Sequence, residues 1–479
     1  MQEPGTTSVA RRQEDLADLV VKLRQLLTDG DDDQLRAFLA ELHAADVADC
    51  LEAIDEEDRS RLLFLLPPRT VAVAIDMLEE SVRSDVLDGM PSAEVSKVLK
   101  ELPADDAVDV LDEMDDERAD SVVEHLPPKQ RAAVEMLRQF DEDSAGGIMN
   151  TDFVSVPVTA TAADAIARIR KLSEERRLEV YYVYCVDEEG RLLGVVPPMR
   201  LITAPAEMPL EKLMLDELFT AHVEDDQEEV KNKFDKYDVV ALPVTDSEQA
   251  LVGVITHDDV LEVAEEEAEE DIFHMAGTDA EEFASSSILR AASIRARWLL
   301  PSLIGTFSAS MITLYFKEQM EEQIFSLLIP FLIPIAAMGG NVGVQISTVI
   351  VRALATGDVM ASRFSRAAYR ELRIALVVSV GAAMFASSGA FAITNSGAFV
   401  QHGGAAAVPL GFSVLRLAMS VGLAMVVAVM LSGTLGLTLP FLFRRIGIDP
   451  AIATGPLITT MNDAVSACVY LSIAMGLLA

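Results

Sequence analysis

The chain has few cysteines, and its first residues form no apolar segment. Both features limit the class of protein to which the chain can belong. Its three cysteines, Cys50, Cys185 and Cys468, lie in three different regions of the 479 residues, without paired spacing. They offer neither a disulfide framework nor a zinc site, and they suit a reducing cytosol. The first residues, MQEPGTTSVARRQEDLADL, contain no apolar core segment. We therefore expect no cleavable signal peptide and a cytoplasmic N-terminal half.

Basic residues are scarce in the first 297 positions, which hold 29 Lys/Arg against 70 Asp/Glu, whereas the remainder holds 9 and 7. Such an acidic surface repels nucleic acid and attracts cations. A solvated acidic surface without a specific ligand would have the same composition. The charge pattern therefore argues against nucleic acid as a partner and leaves cation binding as a hypothesis.

Motifs for covalent chemistry are also lacking. The six histidines show no HExxH spacing, and only His402 falls in the last 182 residues. No P-loop, GxSxG segment or Cys–His pairing stands out. We predict that the chain is not an enzyme.

The last 182 residues contain five long apolar stretches. Each is long enough for the ~30 Å hydrocarbon core of a bilayer. Buried helices of a soluble protein are the alternative, but five such runs in succession favour membrane spans. The predicted spans are Leu299–Phe316, Ile324–Ala353, Ile374–Ile393, Phe412–Leu442 and Ala453–Leu478.

Basic residues between the spans predict their orientation. They cluster before the first span, between the second and third, and after the fourth, whereas the other two loops hold one lysine. The positive-inside rule then predicts a cytoplasmic N-terminus and an exterior C-terminus in the cytoplasmic membrane. The clusters are Arg295 and Arg297; Arg352, Arg363, Arg366, Arg370 and Arg373; and Arg444 and Arg445.

Asp463 is the one acidic residue inside a predicted span. A carboxylate within a bilayer is costly unless it faces a wet cavity or a partner. Thr459 and Thr460, four and three residues earlier, put it on a polar stripe of one helix face. Asp463 is therefore either a pore residue or a structural acid paired with a neighbouring helix, and we favour the pore.

The second span contains Pro330, Pro334 and the segment GGNVGVQ from Gly339 to Gln345. Proline and clustered glycine weaken a helix and free backbone carbonyls, which are hard oxygen ligands tolerated only inside protein or beside water. Alternatively, the small residues permit close helix packing. Both interpretations fit the sequence.

Two repeats precede the membrane half. Val180–Val196 resembles Asp238–Ile255, with matching residues 59 positions apart. Each copy is predicted to be a strand, an acidic turn and a second strand after a helix, which resembles a CBS-domain pair. Such pairs sense a ligand or, alternatively, act as a dimerising scaffold.

Upstream, apolar residues recur every 12 positions, which predicts short helices stacked into a superhelix. They are Leu42, Ile54, Leu66, Leu78, Met90, Leu102, Met114 and Leu126.

Acidic residues cluster throughout both cytoplasmic modules. Asp105 and Asp109, at i and i+4, share a helix face where their charges repel, and a solvated face is the usual setting for such a pair. The run EEEAEED at 265–271 destabilises a helix unless cations neutralise it. Mg²⁺ is typically held by a few carboxylates through its water shell. Bound Mg²⁺ would let these surfaces approach, whereas its loss would let them repel.

These segments together resemble the MgtE family of magnesium channels. The resemblance rests on DEDSAGGIM, KYDVVALPV, ITHDDVLEVAEEEAEEDI, PIAAMGGNVGVQISTVIVRALATGD and LPFLFRRIGIDPAIATGPLITTMND, in that order. It implies a homodimeric multidomain membrane protein with an all-α superhelical N-terminal domain, an α/β CBS pair and a five-helix transmembrane domain. The implied parts are an extension (1–30), the helical domain (31–143), CBS units (144–204 and 205–265), a connecting helix (266–297, running from about Glu266 to Arg295) and the pore domain (298–479).

The resemblance also implies site residues. Pore ion binding falls on Asp463 and Thr459 of the fifth span and on Gly339, Gly340 and Asn341 of the second. Regulatory metal binding falls on Asp105, Asp109, Glu228, Asp238, Asp259, Glu267, Glu270 and Asp271. Some relatives bind ATP in the CBS pair, but nothing in this sequence supports that cofactor. Pro197–Pro198 interrupt the usual strand-to-helix passage and predict a distortion in the first CBS unit.

The sequence thus predicts a lipid-embedded channel or transporter that imports Mg²⁺ and closes when Mg²⁺ binds its acidic cytoplasmic domains. A transporter that prefers another divalent metal, such as Co²⁺ or Mn²⁺, is one alternative. A membrane-anchored cation sensor without transport is the other. The absence of Cys and His from the predicted pore disfavours a dedicated Zn²⁺ or Cu⁺ route.

Overall fold

The computed structural model describes residues 6–175, 180–279, 282, 288–355, 361–396 and 413–478. The chain divides into two compact units, Met1–Ala264 and Glu265–Ala479. We describe each unit by itself.

Short helices at a 12-residue period form the first part of unit 1. Many of these helices pack against the next but one along the chain, as α3 does on α5 and α7 on α9. Helices of this length cannot bury an apolar face alone, so stacking provides the core. The predicted superhelix is confirmed. The helices are α1 (Thr6–Asp29), α2 (Asp32–Leu39), α3 (Ala44–Glu52), α4 (Glu56–Leu65), α5 (Pro68–Asp76), α6 (Glu80–Asp88), α7 (Ser92–Leu99), α8 (Ala104–Asp112), α9 (Asp116–His125) and α10 (Pro128–Leu137).

The 12-residue repeat residues lie just after the helices and help to close the core. Ile54, Leu66, Leu78, Leu102 and Leu126 are all less than 9% exposed. Prolines often follow such a residue, because proline fits the first turn of the next helix, where its missing N–H has no intrahelical acceptor.

The CBS-like module contains two three-stranded sheets of identical topology. In each, the first strand is parallel to the second and the second is antiparallel to the third. The repeat predicted from the sequence is therefore a structural repeat. Its strands are β1 (Val154–Pro157), β2 (Val183–Val186), β3 (Leu192–Val196), β4 (Ala221–His222), β5 (Ala241–Thr245) and β6 (Leu251–Thr256), and its helices are α11 (Ala162–Glu175), α12 (Pro198–Thr203), α13 (Gln227–Tyr237) and α14 (His257–Ala276).

The predicted distortion at Pro197–Pro198 is not present. Strand β3 ends at Val196, Pro197 is the N-cap of α12 with φ −61° and ψ 136°, and Pro198 is its first residue. Both prolines therefore occupy positions where the fixed φ suits the backbone and no N–H is required.

Unit 2 contains, among the described residues, five helices long and apolar enough to cross a membrane. Over the described residues they confirm the predicted spans, whereas Phe412, the predicted start of the fourth span, lies outside those residues. Several of the helices extend beyond the predicted bounds, because charged residues continue them outside the apolar stretches. Span 1 is Ile288–Gln319, span 2 Glu322–Ala355, span 3 Ala361–Asn395, span 4 Val414–Arg445 and span 5 Gly455–Leu478.

Span 4 lies at the centre of this helix bundle. It packs against spans 2, 3 and 5, and half of its most apolar window is buried. Span 1 packs mainly on span 5, and only 6% of its window is buried. Span 1 therefore leaves most of its apolar surface for lipid or for another chain.

Span 2 is a continuous helix, so the predicted weakening by proline and glycine does not interrupt it. Pro330 and Pro334 lie inside the helix. The glycines instead provide close packing: a Cβ on Gly343 would stand 2.5 Å from Ser432 Oγ and 2.8 Å from Ile458 Cγ2. The close-packing alternative is therefore the one that the structure supports.

The connecting helix predicted to run from about Glu266 to Arg295 is not continuous. Helix α14 begins at His257, directly after β6, and ends at Ala276. Gly277 follows with φ +78°, a left-handed conformation that favours glycine and ends helices. Residues from Ile288 onward belong to span 1.

Candidate ion-binding sites

The predicted pore residues lie on spans 2 and 5, and three of them are on a side that the chain's own helices leave open. Thr459 and Asn341 are exposed and Asp463 is half-buried. Among the described residues, no charged group lies close enough to act on the Asp463 carboxylate. The alternative of a structural acid paired with a basic neighbour therefore finds no partner in the described part of the bundle.

The glycine segment of span 2 packs directly on the polar turn of span 5. A Cβ on Gly340 would stand 3.7 Å from Thr459 Cγ2, and one on Gly339 would collide with the amide oxygen of Asn462. Both glycines are buried. The structure thus brings together Gly339, Gly340 and Thr459, whereas Thr460, on the predicted polar stripe, is buried against span 1, where its hydroxyl lies 2.7 Å from Ser302 Oγ.

Asn462 is a polar residue of this region that sequence reasoning missed. Its side chain is fully buried, and its Nδ2 donates a hydrogen bond of 2.6 Å to the carbonyl of Ala336 in span 2. A buried amide inside a predicted span is a detectable signal, but its partner lies 126 residues away and follows only from helix packing.

A second group of carboxylates lies in unit 1, where α8 meets the start of α14. Asp105 is only 5% exposed, and its Oδ1 has no hydrogen-bond partner. The solvated face expected for Asp105 and Asp109 is therefore wrong for Asp105: Asp109 is exposed, but Asp105 is turned into the protein. Asp105 interacts electrostatically with Asp106 and Asp259.

We define the acidic cluster as Asp76, Asp105, Asp106, Asp259 and Glu262. Burial and the repulsion of neighbouring carboxylates oppose ionisation of its four aspartates. Burial, and then the charge of Asp76, raises the pKa of Asp106 to about 8. Burial, and then the charge of Glu262, raises the pKa of Asp76 to about 6. The pKa of Asp105 is raised well above its ordinary value, again chiefly by burial. At neutral pH the cluster therefore favours either a proton or a cation.

A cavity of about 1140 Å³ gives access to the acidic cluster. Asp76 and Asp106 line it, together with Asp152 and Asp258. The Oδ2 of Asp259 accepts hydrogen bonds from the backbone N–H and the hydroxyl of Thr256, at 2.7 and 2.9 Å, and Thr256 itself lines the cavity. A cavity of this size can admit a hydrated divalent cation.

The predicted regulatory residues of the second CBS unit are not brought together within one chain. Glu228 lies in the first turn of α13, whereas Asp238 is its C-cap with φ 52°. Ten residues of helix separate them by roughly 15 Å. Any ion bound by either residue therefore needs other ligands.

The remaining predicted regulatory residues lie on α14. Glu267, Glu270 and Asp271 stand at i, i+3 and i+4 and so share one face. Glu270 also belongs to a three-residue cluster that the sequence did not predict, with His274 and Asp449. His274 Nδ1 lies 2.6 Å from Asp449 Oδ2 and 3.6 Å from Glu270 Oε1, and the bond to Asp449 raises the pKa of His274.

Comparison with family models agrees with this division of the chain. Residues 332–473 match the MgtE model, described as a divalent cation transporter, and residues 42–143 match the MgtE intracellular N domain. Residues 145–207 and 210–266 each match the CBS domain. Together with the spans, these matches define a multi-pass membrane protein of the divalent cation transporter class.

The chain belongs to the MgtE family. It is 32% identical to the magnesium transporter MgtE of Thermus thermophilus over 73% of this chain and 74% of that protein. It is 33% identical to the magnesium transporter MgtE of Enterococcus faecalis over 72% of each chain. A solved cytosolic domain of the Mg²⁺ channel MgtE, in complex with ATP, is 33% identical with a TM-score of 0.49, and the match covers 51% of this chain and 99% of that one.

Proposed function

We propose that this protein is a homodimeric channel or transporter that imports Mg²⁺ across the cytoplasmic membrane and closes when Mg²⁺ binds its acidic cytoplasmic domains. Asp463 carries the proposal, because it is a half-buried carboxylate within a span, without a charged partner among the described residues. Such a group requires water or a passing cation. The named relatives are magnesium transporters.

The pore ion site would be formed by Asp463 and Thr459 of span 5 and by Gly339, Gly340 and Asn341 of span 2. Asn341, Thr459 and Asp463 are left at least partly open by their own chain, which suits a pathway completed by a second copy. Two such carboxylates in a dimer fit a hydrated divalent ion held through its waters. The scarcity of basic residues near the site leaves this charge available to the ion.

Closure by Mg²⁺ would act through the regulatory acids Asp105, Asp109, Glu228, Asp238, Asp259, Glu267, Glu270 and Asp271. The acidic cluster supports this part of the proposal, since Asp105 presents a buried oxygen without a hydrogen-bond partner beside several further carboxylates. A bound cation replaces their repulsion with attraction. Loss of the cation at low cytoplasmic Mg²⁺ would loosen the assembly and favour the open pore.

The orientation follows from the distribution of charge. The arginine clusters of the membrane half lie before span 1, between spans 2 and 3, and after span 4. By the positive-inside rule, this distribution supports a cytoplasmic location for the N-terminus and both acidic modules and an exterior C-terminus. The acidic modules would then be exposed to the cytoplasmic Mg²⁺ that enters through the pore.

The decisive experiment measures Mg²⁺ uptake into proteoliposomes that contain the full chain or the variant Asp463→Ala. We expect uptake to fall at least about tenfold, the factor that corresponds to 1.4 kcal/mol of lost ion stabilisation. Glu318→Ala is the matched control, because Glu318 is an exposed acid at the end of span 1, and this variant should transport like wild type.

Two outcomes would favour the alternatives. Wild-type uptake by Asp463→Ala would indicate that the spans are an anchor for a sensor and that this carboxylate takes no part in permeation. Uptake of Co²⁺ or Mn²⁺ with little Mg²⁺ would identify a transporter for another divalent metal.

A further inference from the structure

Asn462 lies beside the proposed pore acid but faces a different side of the helix. Asp463 is half-buried on the open face, whereas Asn462 is fully buried between spans 5 and 2. Successive residues of a helix point about 100° apart, so the direction of one fixes the direction of the next. Whatever holds Asn462 therefore also sets where Asp463 points.

Both polar atoms of the Asn462 amide have a hydrogen-bond partner. Its Nδ2 donates to the carbonyl of Ala336 at 2.6 Å, and its Oδ1 accepts a hydrogen bond of 3.0 Å from the hydroxyl of Ser466. Gly339 leaves room for this amide, because a Cβ there would collide with Oδ1. In an apolar helix bundle, a buried amide that is hydrogen-bonded to a neighbouring helix favours one register of the two helices. A shift of one helix along the other would leave polar atoms without partners.

This bond joins the two elements that carry the proposed ion site. Ala336 lies five residues before Asn341 in span 2, and Asn462 directly precedes Asp463 in span 5. We infer that Asn462 is a positioning residue that locks the register and rotation of span 5 against span 2, and that it thereby sets the discrimination of the pore between Mg²⁺ and other divalent cations. This inference rests on the proposed function.

The selectivity of the pore for Mg²⁺ should depend on the register of span 5 against span 2 for a chemical reason. Mg²⁺ dehydrates reluctantly, so a fixed site can hold it through its water shell. Co²⁺ and Ni²⁺ bind the same oxygen and nitrogen ligands more tightly when contact is direct. A loosened register that lets the carboxylates approach the ion would therefore favour Co²⁺ and Ni²⁺ over Mg²⁺.

The test measures Co²⁺ and Mg²⁺ uptake by the full chain in proteoliposomes for wild type, Asn462→Leu and Gly339→Ala. Asn462→Leu keeps the volume and removes the amide, whereas Gly339→Ala keeps the amide and displaces it. We expect both variants to raise the ratio of Co²⁺ to Mg²⁺ uptake by about three- to tenfold, the range of one net hydrogen bond.

Tyr470→Phe is the matched control. The Tyr470 hydroxyl donates to the carbonyl of Leu328 at 2.9 Å, so it also joins span 5 to span 2, but it lies two helical turns from Asp463. This variant should keep the wild-type uptake ratio while its thermal stability falls.

A wild-type ratio in Asn462→Leu would overturn the inference, as would an equal shift in Tyr470→Phe, since the effect would then be general loosening of the bundle. If Asn462→Leu does not fold, an unchanged ratio in Gly339→Ala overturns it instead. A wild-type chain that takes up no Mg²⁺ contradicts the proposed function itself, and this inference falls with it.

Discussion

At the residue scale, the most informative groups are polar side chains that the fold places where water is scarce. Asp463 could be recognised from the sequence, because one acid stands out in a run of apolar letters. Asn462 could not be assigned a role in the same way, since its acceptor is a backbone carbonyl that carries no sequence signal. The spacing of Asp105 and Asp109 predicts a shared helix face, but the burial of Asp105 and its proximity to Asp259 arise only in the folded unit.

The acidic cluster makes unit 1 sensitive to pH. The pKa of Asp106 in the folded chain, about 8, lies above its ordinary value of 3.8, so the folded state binds the proton more tightly than the unfolded state. Its protonation therefore favours folding at low pH, and this contribution is lost as the pH rises towards and through about 8. Without divalent cations, the helices around the cluster should be least stable in alkaline buffer.

Asp106→Asn should remove part of the pH dependence of the stability of unit 1. In chelator at pH 8.5, we expect amide hydrogens of α8 in the full-length variant to exchange roughly 5- to 30-fold more slowly than in wild type, the factor that corresponds to one or two kcal/mol. At about pH 4, close to the ordinary pKa of 3.8, the two proteins should be alike after correction for intrinsic exchange rates, because the carboxyl of Asp106 then binds its proton in the unfolded state as well. The measurement is hydrogen–deuterium exchange followed by mass spectrometry.

Asp85→Asn is the control for this comparison, because Asp85 is an exposed aspartate of α6. It should leave exchange in α8 unchanged at both pH values. Equal exchange in Asp106→Asn and wild type at pH 8.5 would show that the carboxylate of Asp106 does not destabilise the metal-free cluster.

At the element scale, periodicity predicted the helices well and local propensity predicted span 2 poorly. The 12-residue spacing of apolar residues is set by the helices themselves, whose first residues recur every 12 positions from Asp32 to Pro128. Proline and glycine lower helix propensity in isolation, but in span 2 tertiary packing outweighs that preference. Gly343 and Gly436 let spans 2 and 4 approach so closely that a Cβ on Gly436 would collide with the carbonyl of Gly343.

Gly436→Ala should therefore separate spans 2 and 4. Overpacking of this kind typically costs about 1–3 kcal/mol. We expect a lower temperature of aggregation in detergent, measured by size-exclusion chromatography after heating. Gly381→Ala is matched in chemistry, since Gly381 lies in span 3 with no atom within 4 Å of the added Cβ, and it should be neutral or slightly stabilising. Equal losses in the two variants would argue against close packing as the role of Gly436.

At the scale of the whole molecule, the most consequential feature is the separation of charge. The first 297 residues hold 41 more acidic than basic residues, whereas the membrane half holds two more basic than acidic residues. The proposed site of sensing and the proposed site of permeation therefore lie in parts of the chain with different charge. The sequence predicts this separation of charge directly, because the acidic and basic residues of each part can be counted. The ligands of each proposed regulatory ion depend instead on contacts that composition does not encode.

Divalent cations should tighten the acidic half. With the full chain in detergent at matched ionic strength, we expect Mg²⁺ to slow tryptic cleavage of residues 1–297, because bound cations replace repulsion between carboxylates with attraction. Glu267→Ala combined with Asp271→Ala should reduce this protection, since both acids lie on one face of α14. Protection is read as the half-time of loss of the intact chain.

Asp85→Ala combined with Glu124→Ala removes the same number of charges from exposed positions outside the regulatory set, and this control should keep the full protection by Mg²⁺. An equal loss in both double variants would indicate that Mg²⁺ acts only by screening net charge. Digestion at the same rate with and without Mg²⁺ would remove the sensing role while leaving permeation through the Asp463 site intact, because the two functions belong to separate parts of the chain.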